Sequence, residues 1–146
     1  MRSLLLVVAV LAVASAFGVW WRARQGRVRA VSDEGVLVPA DLGADLGEQA
    51  TFVQLSSQVC AACRSTARVL GGLAAQQPGV AHVELDVADH LPLVRRFDVM
   101  RTPTTLVLDA RGAVVARLSG AVDPRQAGAA LEQAAPSACT DGALAR

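Results

Sequence analysis

Hydrophobic residues follow distinct patterns along this chain. From Ser3 to Trp21 there is no charge and almost every residue is apolar, so a helix there has no polar face. At 1.5 Å per residue the run is roughly 28 Å long, enough to cross a hydrocarbon core. Beyond Gly35 the patterns become short. Thr51 to Ser56 alternates, with Thr51, Val53 and Leu55 on one face and Phe52 and Gln54 on the other, which predicts a strand. Cys60 to Gln77 predicts a helix with an apolar stripe of Cys63, Ala67, Leu70 and Ala74, ended by Pro78-Gly79. Val80 to Val87 predicts a strand with Val83, Leu85 and Val87 on one face. Asp89 to Phe97 predicts a short helix that tolerates Pro92 in its first turn. Thr104 to Leu108 and Ala113 to Leu118 predict two strands joined by a hairpin turn, Asp109-Ala110-Arg111-Gly112. Asp123 caps a last helix, with Pro124 at its first position and Pro136 beyond its end. Pro39 to Leu46 reads as a short helix and Val28 to Val31 as a candidate edge strand.

Strand, helix, strand, helix, strand hairpin and helix predict an α/β fold, a mixed sheet with helices on both faces, preceded by one N-terminal transmembrane helix. The expected division is an anchor over 1–22, a basic connector with the candidate first strand over 23–35, the folded domain over 36–135 and a flexible tail over 136–146.

Composition and charge refine this. Lys, Ile, Asn and Tyr are absent, and all the side-chain positive charge is Arg, which reads as a coding bias. A net charge of +1 supplies no global field for nucleic acid. Four Arg (Arg22, Arg24, Arg27 and Arg29) follow the apolar run and its closing Trp20-Trp21, the signature of a membrane anchor. A cleaved signal peptide is the competing reading, with Ala14-Ser15-Ala16 as the cut and Leu4 to Val13 as its apolar region. Its basic start would be only Met1-Arg2, and apolar residues continue past the cut. The positive-inside rule puts the C-terminal domain on the cytoplasmic side, by a margin of about two charges that leaves an extracytoplasmic domain open.

The candidate chemistry is Cys60-Ala61-Ala62-Cys63, where a strand gives way to a helix. One helical turn separates the cysteines, so their Cα atoms lie about 5 Å apart, within disulfide range. Cys60 stands at the helix start, where unpaired N–H groups and the helix dipole favour the thiolate that attacks a disulfide. Cys63, on the apolar stripe, is expected to be buried and to resolve the mixed disulfide. A static disulfide across two residues would close almost no loop. A structural zinc site needs four ligands, and the other candidates, Cys139, His82 and His90, lack ligand spacing to Cys60, so no metal or cofactor is expected. Cys139 reads as an exposed free thiol in the tail, with a mixed disulfide to Cys60 or a link between two chains as the alternative.

The element order, Cys60-Ala61-Ala62-Cys63 and Arg101-Thr102-Pro103-Thr104 together resemble the thioredoxin family, from about Val28 to Ala135. Thr51 to Cys60, Phe97 to Thr104 and Gly120-Ala121 carry the likeness. The resemblance implies disulfide exchange with protein thiols and disulfides, and an electron donor or acceptor not yet identified. It also implies a cis Pro103 lying against the cysteines, with Val59, Thr102, Pro103 and Gly120 contacting an extended substrate segment. The chain departs from the family at Val59 (often Trp), Ala61-Ala62 (often Gly-Pro), Arg68 (often Pro) and Gln54 (often a buried Asp that helps deprotonate the second cysteine). Gln cannot act as a base, so slower deprotonation of Cys63, or deprotonation by water, is expected. Two other readings stay open: a docking module beside Pro103 that does not turn over, and a thiol site that handles metal at a membrane surface.

Overall fold

The computed structural model describes residues 2–24, 29–30 and 35–135, with side chains over 6–19 and 35–135. The first element is α1, Arg2–Arg24. Its described side chains are strongly exposed at Leu6, Val10, Val13 and Phe17. They cover about 21 Å of helix, short of a hydrocarbon core of roughly 30 Å. Among the described residues no helix is long and apolar enough to cross a membrane. The span expected over 3–21 extends past the described side chains at both ends.

The domain follows as β1 (Arg29–Ala30), α2 (Pro39–Leu42), β2 (Ala50–Ser56), α3 (Ala61–Gln76), β3 (Val80–Asp86), α4 (Leu91–Arg96), β4 (Thr104–Asp109), β5 (Val114–Ser119) and α5 (Pro124–Ala134). The sheet order is β1-β5-β4-β2-β3. Among neighbouring strands only β2 and β3 pair in parallel, and the α3 crossover between them makes that direction possible; the other neighbours are antiparallel.

Alternation along β2 divides the core. Ala50 and Phe52 face a cluster with Leu70 of α3 and Ala127, Ala130 and Leu131 of α5. Val53 and Leu55 face the opposite cluster, with Leu42 of α2, Leu93 of α4 and Phe97. The mixed sheet with helices on both faces is therefore observed.

Most elements stand within a residue or two of their expected places. α2 is shorter than 39–46, because Gly43 adopts a left-handed conformation (φ 63°) and ends it. α4 begins at Leu91 rather than Asp89, with Pro92 in its first turn, and closes before Asp98, whose φ is 45°. Asp123 caps α5 by accepting bonds from the amides of Arg125 and Gln126 at 2.9 Å each. Pro136, Cys139 and the expected tail lie outside the described residues, as do Val28 and Val31.

The stripe of α3 needs correction. Its buried residues are Cys63, Thr66 and Leu70, while Ala67 and Ala74 are only half-buried. Thr66 enters the core because its Oγ1 accepts the amide of Val122 at 3.2 Å. Thr66→Val keeps the shape but leaves that buried N–H unpartnered, and we expect a loss of about 1–3 kcal/mol in urea unfolding.

Candidate active site

The end of β2 and the start of α3 set the cysteine pair. Cys60 is the N-cap of α3 in an extended conformation, and Cys63 lies in its first turn. The two form a disulfide, with Cα atoms 5.2 Å apart. Cys60 is half-buried and Cys63 is 2% exposed, so the outer and inner thiols are arranged as expected. The amide of Cys63 donates to Cys60 Sγ at 3.1 Å. An N–H aimed at this sulfur from the first turn of a helix favours negative charge on it.

The loop before β4 meets the approach to this pair. Its Thr102–Pro103 peptide is cis. The Ser57 and Thr102 hydroxyls lie 3.3 Å apart and tie the approach to Cys60 to the loop that carries Pro103. The amide of Gly120 donates to the carbonyl of Pro103 at 2.8 Å, with Gly120 at φ 90°. Arg117 of β5 holds the start of the same loop, donating to the carbonyls of Phe97 at 2.6 Å and Asp98 at 3.0 Å. Thr102, Pro103 and Gly120 are thus brought together. Val59 is 95% exposed beside Cys60. A cavity of about 280 Å³, lined by Val87, Leu91, Val94, Val99, Met100 and Thr102, flanks the loop.

Beneath the pair lies a polar cluster that the sequence reading missed. Gln54 is fully buried. Its Nε2 donates to Ser56 Oγ at 2.7 Å and to the carbonyl of Cys63 at 2.9 Å, and lies 3.3 Å from Glu84 Oε1. Its Oε1 lies 3.2 Å from His82 Nε2. The available signal was alternation: His82 and Glu84 share the face of β3 opposite Val83 and Leu85. The parallel register, Gln54 opposite Glu84, brings that face to Gln54. Thr105, opposite Gln54 on β4, has a buried hydroxyl with no hydrogen-bond partner among the described residues.

Burial lowers the His82 imidazole below its ordinary value of 6.5, against a raising pull from Glu84. Between the lowered value and 6.5 the unfolded chain binds a proton that the folded chain does not. Stability therefore rises with pH across this window, is full above it, and is lost as pH falls through it. We expect the urea midpoint to drop on acidification below 6.5, and His82→Gln to flatten that slope.

A half-buried sulfur at a helix N-terminus, bonded to a buried one a turn later, defines a domain of the thiol–disulfide oxidoreductase class. A family model described as a thioredoxin-like domain matches residues 36–135, and the chain belongs to that family. Thioredoxin from Fasciola hepatica is similar in structure, with a TM-score of 0.52 and 24% identity over 60% of this chain and 82% of that one. Mitochondrial thioredoxin 3 from Saccharomyces cerevisiae, in its oxidized form, gives a TM-score of 0.52 and 19% identity over 58% of this chain and 78% of that one. At these identities the likeness bears on the fold. No curated protein matches the chain.

Proposed function

We infer that the protein exchanges disulfides with other proteins while tethered to a membrane. The observation that carries the exchange reading is the Cys63 amide aimed at Cys60 Sγ at 3.1 Å. In the reductive direction the Cys60 thiolate attacks a substrate disulfide, forming a mixed disulfide and releasing one substrate thiolate. Cys63, having lost its proton, attacks Cys60 Sγ. The Cys60–Cys63 bond forms, the mixed disulfide breaks and the second substrate thiolate leaves, so the substrate gains two electrons and the protein loses two. The reverse sequence oxidises a dithiol. Val59, Thr102, Pro103 and Gly120 would receive an extended segment of the partner, with the Thr102 backbone pairing to it. The exposed apolar side chains of α1 and the Arg that follow support tethering through residues 3–21.

The test is a redox cycle on the full chain. A strong reductant followed by a mild oxidant should interconvert two thiols and one disulfide at Cys60 and Cys63. A chain that does not cycle sinks the reading. Recovery in the membrane fraction after alkaline extraction checks the tether, and labelling of Cys139 by an impermeant thiol reagent in intact cells would reverse the cytoplasmic orientation.

A further inference from the structure

We propose that His82 is a positioning residue for the cysteine pair, acting through the Gln54 amide. The proposal rests on the exchange reading above. A Gln Oε1 can only accept, so His82 Nε2, 3.2 Å away, presents its proton to it. That bond at Oε1 and the Cys63 carbonyl at Nε2 together hold the amide in one orientation. Gln54 Nε2 then faces the Cys63 carbonyl at 2.9 Å and Glu84 at 3.3 Å. Turned over, the amide would set its oxygen against both of those acceptors. The imidazole is half-buried beside α3, and a Cβ on Gly71 would stand 3.7 Å from its Nδ1.

The amide therefore ties the first turn of α3 to β2. That turn carries the Cys63 N–H that meets Cys60 Sγ at 3.1 Å. A hydrogen bond to a thiolate is stronger than one to a disulfide sulfur, so this contact favours the reduced form. Without the His82 proton, Gln54 Oε1 loses its donor, and the amide is held only by the contacts of its Nε2.

The experiment equilibrates the full chain with glutathione and reads the thiolate absorbance of the reduced protein at fixed pH. His82→Val should shift the equilibrium toward the disulfide, by up to about fivefold if one net hydrogen bond is lost from the reduced form alone, and lower the thiolate fraction. His82→Gln, which can still donate to Oε1, should restore both. Gln54→Met should shift the equilibrium in the same direction, and His82→Val added to it should shift it no further. An unchanged equilibrium in His82→Val overturns the proposal, as does an equal shift in His82→Val and His82→Gln. Should His82→Val not fold, Gln54→Met carries the test, and an unchanged equilibrium there overturns it. A wild-type chain that never cycles is a failure of the exchange reading instead.

Discussion

Cys60→Ser will lose at least about a thousandfold in the rate of reducing a protein disulfide, measured against the wild-type chain under one reductant. A serine hydroxyl is not ionised near neutrality, so the helix N-terminus has no anion to stabilise. Cys63 cannot substitute, because at 2% exposure it does not reach a partner. Cys63→Ser fails differently. The first attack still occurs, and the reaction stops with the partner bound to Cys60, so a mixed disulfide accumulates that Cys60→Ser cannot form. The fold should survive both changes, since the disulfide closes a loop too short to restrict the unfolded chain much. A Cys60→Ser chain as active as wild type would remove Cys60 from the chemistry.

The arrangement of cysteines was legible because it depends on local rules. A turn of helix brings residues 60 and 63 together, and the cap position leaves the first half-buried while the helix's inner face buries the second. The strands were legible for a similar reason: alternation in 51–56 and 80–87 survives in the two core clusters. Thr66 was not, because its burial answers an amide 56 residues away. His82 and Glu84 were not, because alternation places both on one face but does not say which strand that face meets. The pairing of Gln54 with Glu84 is a matter of register, set by the whole sheet.

That register explains the glutamine. Gln54→Glu will destabilise the protein by about 3–5 kcal/mol at neutral pH, the cost of an uncompensated buried charge. The new carboxylate would occupy a fully buried position, lose the donation to the Cys63 carbonyl and face Glu84 at about the 3.3 Å now spanned by a hydrogen bond. A neutral amide donates to both acceptors and keeps the pair compatible. The pH dependence has a definite sign. The buried carboxyl is held neutral above the ordinary glutamate value of about 4.3, so the variant loses stability as pH rises past that value and regains it on acidification. Glu84→Lys in the same chain should restore part of the loss by placing a cation beside the new carboxylate, a partial rescue because position 84 is exposed and the cation is screened by water. If the restored protein also resolves mixed disulfides faster, the missing base at position 54 limits Cys63 in the natural chain. If Gln54→Glu unfolds at the wild-type urea midpoint at neutral pH, Glu84 does not constrain position 54, and this account of the glutamine fails.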